Sequence, residues 1–140
     1  MIRFLKKSDY LDYLDLISQL TIVGVVSIEQ FNSFVDLQNK NFSTLVFEMD
    51  FKIVGCVTYL IEQKIQRSFS CVMHIEDVVT DAKQRGKGIS KQLLNQVISI
   101  AEENNCYKVI LDCSQENVSF YEKIGFNKKE HQMVFRLKSS

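Results

Sequence analysis

The chain has 140 residues, 46% of them hydrophobic and 24% charged, with 17 basic and 17 acidic side chains. That length and mix suit one globular domain over 1–140 with a real core, not a disordered or fibrous chain. The formal charge of zero gives no general affinity for nucleic acid or an anionic membrane, and no apolar run approaches the length of a membrane span.

Charge interrupts Met1-Ile-Arg-Phe-Leu-Lys-Lys7 too early for a signal peptide, so the first residues are expected to be mature structure. Ile2–Leu5 reads as a short strand. Asp9–Leu20 carries Leu11, Leu14, Leu16 and Ile17 near helical spacing, with Ser8 or Asp9 as its cap. After an apolar connection, Ser27-Ile-Glu-Gln30 forms a capping box and opens a helix to about Gln38, with Ile28, Phe31, Phe34, Val35 and Leu37 as its buried face. Ser43–Met49, Ile53–Glu62 and Ser70–Thr80 are β-rich and predict an antiparallel meander, the middle strand central. Ile89–Asn104 is an amphipathic helix, with Leu93, Leu94, Val97, Ile98 and Ala101 recurring at three and four. Lys108–Cys113 predicts a buried strand. Val118–Ile124 predicts a short helix capped by Asn117 and stopped by Gly125, and Met133–Lys138 a last strand. The chain has no proline, repeat or linker to mark a domain boundary.

The third strand, the long helix and Lys108–Cys113 make a βαβ unit whose strands should run parallel. The sheet is therefore mixed, antiparallel at first and parallel in the middle, flanked by helices in an α/β arrangement. Parallel neighbours that part at their C-terminal ends open a crevice where ligands sit.

Between strand and helix stands Arg85-Gly-Lys-Gly-Ile-Ser90. Gly86 and Gly88 allow a tight turn and a close backbone approach, and Arg85, Lys87 and Lys91 add positive charge. The free N–H groups and dipole of a helix start favour an anion there, so a phosphate-bearing ligand is expected. The pattern lacks the Lys-Ser/Thr pair of nucleotide hydrolases and the third Gly of dinucleotide-binding folds.

Four cysteines, Cys56, Cys71, Cys106 and Cys113, form no Cys-x-x-Cys, and the only histidines are His74 and His131. No metal site is expected, and the thiols suit a reduced, cytoplasmic protein. Cys113 ends a strand after an acid, where a nucleophile can stand, but no histidine lies near it in sequence to activate it.

The strand, glycine turn, helix and strand, followed by Asn117-Val-Ser-Phe-Tyr-Glu-Lys-Ile-Gly-Phe126, resemble the GNAT acetyltransferase superfamily. That superfamily holds the pyrophosphate of acetyl-CoA on an Arg/Gln-x-x-Gly-x-Gly/Ala turn. Arg85 and Gly88 match, and Ser90 stands where Gly or Ala is usual. Within it, His74-Ile-Glu-Asp-Val-Val79, Cys106-Tyr-Lys-Val-Ile-Leu-Asp-Cys113, Leu20-Thr-x-Val-Gly24 and Ser27-x-Glu-x-Phe31 are similar to the eukaryotic-type glucosamine-6-phosphate N-acetyltransferase family. Met73 departs from that family's small residue. The resemblance covers nearly the whole chain.

The resemblance implies a GNAT fold and direct acetyl transfer from acetyl-CoA to the 2-amino group of glucosamine 6-phosphate, in UDP-N-acetylglucosamine biosynthesis, with no metal. It implies acetyl-CoA contacts at Asp77, Val78, Val79, Arg85, Gly86, Lys87, Gly88, Ile89, Ser90, Asn117 and Tyr121. It implies sugar-phosphate contacts at Thr21, Glu76, Asp77, Asp112 and Arg136. Tyr121 would be the acid that protonates CoA, with an amphipathic core residue as the alternative. Asp112 would position the amine and receive its proton. Lys64, Arg67 and His74 are weaker phosphate candidates, with solvated charge as the alternative for the first two. A homodimer meeting at the C-terminal strand is implied, with Arg136 serving the partner's site. Two other readings remain: a GNAT enzyme for a protein N-terminus or polyamine, and a non-catalytic acetyl-CoA-binding module.

Overall fold

The computed structural model of the chain describes residues 1–137. Five strands form one sheet in the order β1-β2-β3-β4-β5. They are β1 (Ile2–Phe4), β2 (Phe42–Met49), β3 (Lys52–Gln63), β4 (Cys71–Thr80) and β5 (Cys106–Ile110). The first four pair antiparallel, and β4 and β5 run parallel, so the mixed sheet is as expected and β3 is its middle strand. Asp50 and Phe51, both at positive φ, turn β2 into β3 in the hand that matches strand twist.

Strand alternation sends neighbouring side chains to opposite faces and divides the core in two. Leu45, Val57, Met73 and Ile75 pack with Ile89, Leu93, Leu94 and Val97. Val46, Cys56 and Val79 pack with Tyr13, Leu16 and Phe31. Helices α1 (Tyr10–Ser18) and α2 (Ile28–Asp36) therefore cover one face, and α4 (Ile89–Glu103) covers the other. Between β3 and β4 lies a one-turn α3 (Gln66–Phe69), with Arg67 and Ser68 left-handed, and α5 (Val118–Ile124) follows β5.

The capping box of α2 forms as expected: Gln30 N–H donates to Ser27 Oγ at 3.1 Å and Ser27 N–H to Gln30 Oε1 at 2.9 Å. Of its expected buried face, Ile28 and Leu37 are exposed, because the helix is short and only the stripe around Phe31 meets the sheet. Asp9 stands at the start of α1 without capping it. Its carboxylate instead takes two hydrogen bonds from Arg3, both 2.9 Å, and one from the Lys6 N–H. Burial alone would raise the Asp9 pKa, but these partners outweigh it and hold the carboxyl below its ordinary value. Asn117 likewise precedes α5 without a capping bond, its amide donating to Ser114 Oγ at 3.1 Å.

Two expected strands differ. Lys108–Cys113 is neither fully paired nor buried: the ladder ends at His74↔Ile110, and Ile110 is exposed on the outer strand of the sheet. Met133–Leu137 has no strand pairing and leaves the outer edge of β5 open. Lys138 lies outside the described residues. Met73, the family departure, is fully buried in the α4-side core and does not line the cleft.

Helix α4 reaches the sheet closely over Gly55. A Cβ there would lie 2.7 Å from Ile89 Cγ2 and 3.2 Å from Leu93 Cδ1. Ile89 is β-branched and stiff at χ1, so it cannot swing aside. Gly55→Ala is expected to cost about 1–3 kcal/mol by overpacking, read as a lower midpoint in denaturant. The start of α4 should move with it.

Candidate active site

Strand β4 is broken by a bulge where the resemblance places the sugar and thioester contacts. Cys56 pairs with Val79 and Thr58 with Glu76, so Asp77 and Val78 together face Val57 alone. Asp77 takes the break with a φ of 50°, a left-handed conformation uncommon for a residue with a side chain. The Cys56 thiol donates to the Asp77 carbonyl at 3.4 Å from the buried side. One ladder position cannot pair two N–H groups, so the bulge frees backbone for other partners.

Strand β5 stops before the bulge, and the chain leaves the sheet through Leu111, Asp112 and Cys113. The two parallel strands thus part at their C-terminal ends. A cleft of about 260 Å³ opens there, lined by Ile75, Glu76, Asp77 and Val78 on one side and Leu111, Asp112, Cys113 and Ser114 on the other. Leu20, Asn117 and Tyr121 complete it.

Three carboxylates face this space. Burial, then the charges of Asp77 and Asp112, raises the Glu76 pKa. Burial raises that of Asp77. Asp112 accepts from the Gln132 amide at 3.1 Å. The cleft thus attracts a cationic group. Tyr121 is half-buried between Phe120 and Phe126, ring centroids 5.1 and 5.8 Å away. Burial and then nearby Cys113 push its pKa up, so the phenol holds its proton at neutral pH.

A second feature lies beyond the end of β4. Asp81 caps the turn Ala82–Gln84, accepting from the Lys83 N–H at 3.0 Å. Gly86 and Gly88 both stand at positive φ, 82° and 77°, with open space where a Cβ would project. The first bond of α4 runs from Gln92 N–H to Gly88 carbonyl, so the amides of Ile89, Ser90 and Lys91 lack intrahelical acceptors. No acid stands in that first turn, and Arg85 and Lys87 are exposed beside it. These donors fit a pyrophosphate. Ser90 points elsewhere: its hydroxyl lies 2.5 Å from that of Thr80, pinning the helix start to the end of β4.

A sequence profile described as the Acetyltransferase (GNAT) family matches residues 12–126. The chain belongs to the GNAT acetyltransferase family. It is 37% identical over 135 residues to the glucosamine 6-phosphate N-acetyltransferase of Trypanosoma brucei brucei, covering 94% of this chain and 92% of the relative. It is 36% identical to that of Candida albicans, covering 96% and 93%. The crystal structure of glucosamine-6-phosphate N-acetyltransferase from Arabidopsis thaliana superposes with a TM-score of 0.94 at 36% identity, covering 99% and 98%.

The GNAT architecture brings Glu76, Asp77, Val78, Asp112, Asn117 and Tyr121 together on the cleft. Val79 turns into the α1–α2 core, leaving only its backbone for the site. The segment Arg85–Ser90 forms the separate glycine turn at the start of α4. Thr21 is exposed next to Leu20, which lines the cleft. Arg136 sits on the exposed tail and lines neither the cleft nor a second hollow of about 200 Å³ on the outer sheet. That hollow holds Lys64 and His74 with Glu62, Tyr107 and Lys108, and the Arg67 guanidinium lies 4.7 Å from the Tyr107 ring centre. Cys113 does line the cleft, but no histidine does. Ser114 and Leu111 were not singled out from the sequence, where a lone serine and an apolar strand residue carry no signal of their own.

The Glu76 carboxyl should titrate above its ordinary value in a ¹³C NMR pH series. Asp77→Asn removes a neighbouring negative charge while keeping a side chain that tolerates positive φ. The Glu76 midpoint is expected to fall in that variant, and an unmoved midpoint would remove Asp77 from the causes and leave burial and Asp112.

Proposed function

We propose that the chain is a glucosamine 6-phosphate N-acetyltransferase, moving the acetyl group of acetyl-CoA to the sugar's 2-amino group and releasing N-acetylglucosamine 6-phosphate and CoA. The observation that carries the chemistry is the break in β4, which sets bulged backbone between a carboxylate-lined cleft and an anion-holding glycine turn. The acceptor comes from the relatives that bear that name over more than nine-tenths of both chains.

Each residue then has a task. Arg85, Gly86, Lys87, Gly88, Ile89 and Ser90 hold the pyrophosphate, mostly through backbone N–H groups. Acetyl-CoA supplies the activated acyl group. The bulge at Asp77–Val79 aims N–H groups at the thioester carbonyl oxygen as negative charge develops there, worth about 3 kcal/mol of barrier per good donor. Glu76 and Asp77 hold the sugar. Asp112 orients the amine and takes its proton by side chain or main chain, and Thr21 adds a hydroxyl. Tyr121 gives its proton to the departing CoA sulfur, and Asn117 holds the chain beside it. A sugar amine attacks without a strong base, so transfer is direct within a ternary complex. The product suits UDP-N-acetylglucosamine biosynthesis, and the protein is read as one cytoplasmic domain.

The electrostatics support a homodimer. Among the described residues the cleft is lined by three acids and by no lysine or arginine, whereas the substrate carries a phosphate. Lys64, Arg67, His74 and Arg136 lie outside the cleft of their own chain. A partner copy meeting the exposed tail would bring such cations, Arg136 first, to the neighbouring site.

The deciding assay is CoA release from acetyl-CoA with glucosamine 6-phosphate, beside free glucosamine. Turnover strongly favouring the phosphate is expected; none on either sugar would overturn the proposal. Tyr121→Phe should lower kcat about 10²–10⁴-fold, the scale of a lost proton donor, with acetyl-CoA affinity nearly unchanged. Wild-type kcat there would remove Tyr121 from the mechanism. Mixing Arg136→Ala and Tyr121→Phe subunits tests the shared site. A cross-subunit site predicts partial recovery, since each mixed dimer owns one intact site. No recovery despite subunit exchange would place Arg136 at its own chain's site or outside both.

A further inference from the structure

Cys71 opens β4 and Cys106 opens β5, and they are register partners across the parallel pair. Their sulfurs lie 3.1 Å apart, closer than ordinary contact between two sulfurs. Strands in one sheet run about 4.8 Å apart, inside the roughly 4.4–6.8 Å Cα separation that a disulfide spans. The remaining approach is about 1 Å, since a disulfide bond measures about 2.05 Å. Both cysteines are free thiols, with Cys71 buried and Cys106 more open. Neither lines the cleft, and neither belongs to the glycine turn.

We propose that Cys71 and Cys106 form a dithiol modification site that closes to an intramolecular disulfide with a low-molecular-weight disulfide of the glutathione type. The more open Cys106 thiolate attacks one glutathione sulfur, giving a mixed disulfide and one glutathione thiolate. Cys71, losing its proton, then displaces the second glutathione thiolate and completes the bond. Two electrons pass from the protein thiols to the reagent, and the two protons end on the two glutathione thiols.

Burial and then the Cys71 thiol push Cys106 up to about 12, so little thiolate forms at neutral pH and the first step is slow. The slow entry and close second thiol have a consequence. A mixed disulfide, once formed, should close faster than it accumulates. The bond would join the first residues of β4 and β5 and close a loop that carries both the bulge and the glycine turn. Its stabilisation comes from closing that long loop in the unfolded chain. Acetyl transfer should be little affected, because the pair starts the strands whose far ends form the cleft.

The test uses the full chain with excess oxidised glutathione at mildly alkaline pH, followed by alkylation, proteolysis and mass spectrometry. The expected result is a Cys71–Cys106 cross-linked peptide, with a melting midpoint raised by about 5–10 °C. Cys71→Ser should instead accumulate glutathione on Cys106, which separates closure from simple modification. A lasting glutathione adduct on Cys106 in the wild type, a cross-link between other cysteines, or unreacted thiols at both positions would overturn the proposal. The readout does not depend on the sugar or on acetyl transfer, so it stands or falls apart from the assigned reaction.

Discussion

One constraint organises the site: β4 stays with β3 through an extra residue while it loses β5. The bulge changes the facing of the strand. Met73 and Ile75 point to the α4 side, and unbroken alternation would send Val79 there too. The extra residue sends Val79 to the α1–α2 core, opposite Cys56. Thr80 can then meet Ser90, and Gly55 admits α4 at close range. The glycine turn is thus held at a set place beyond the bulge. A left-handed non-glycine residue costs roughly 1–2 kcal/mol, and Asp77 carries that strain where the backbone faces the cleft. The buried register on both sides of it, and the Cys56 thiol against its carbonyl, keep it there.

Charge is sorted along the same strand. Glu76, Asp77 and Asp112 make one end of the site attractive to an ammonium group, while the start of α4 offers amides, a dipole and cations without a nearby acid. Opposite fields a short strand segment apart suit a reaction between an amine and a ligand with an anionic tail. Their separation also keeps the carboxylates from neutralising the anion site. Burial, and then repulsion from Asp77 and Asp112, raises Glu76, and an arriving ammonium would relieve the repulsive part. Binding the cation and lowering the Glu76 pKa are therefore coupled.

Most of the architecture was legible in the sequence because its signals are local. Leu93, Leu94 and Val97 mark a helix face by spacing, Ser27 and Gln30 mark a helix start by their bonds, and Gly86 and Gly88 mark left-handed turns by lacking a Cβ. The cleft followed from the βαβ order. Local signals failed where a partner decides the outcome. Asp9 is a plausible cap by position, yet Arg3 on β1 claims its carboxylate, and Arg3 also holds Glu48 of β2. Val109-Ile110-Leu111 reads as a buried strand, yet apolar residues cannot announce where a ladder ends. The bulge has no composition signature at all: Glu76-Asp77-Val78 could continue a regular strand, and the extra residue shows only in the pairing with β3.

The C-terminal segment extends that lesson to a partner outside the chain. Met133, Val134, Phe135 and Leu137 are 90%, 60%, 89% and 82% exposed, although so apolar and β-prone a run has strand character. Ile22 and Val25, in the connection that delivers Leu20 to the cleft, are 95% and 99% exposed. Single exposed apolar residues are ordinary, but a run of them in strand-like order favours coverage by another surface. The same chain has an electrostatic deficit, a phosphate substrate proposed for a cleft that no described lysine or arginine lines. A second copy placed along the tail answers both, burying the apolar side chains while carrying Arg136 away from its own cleft. In the proposed homodimer, the exposure of the tail and the acidity of the site would be two sides of one arrangement, with each copy completing its neighbour's sugar-phosphate site.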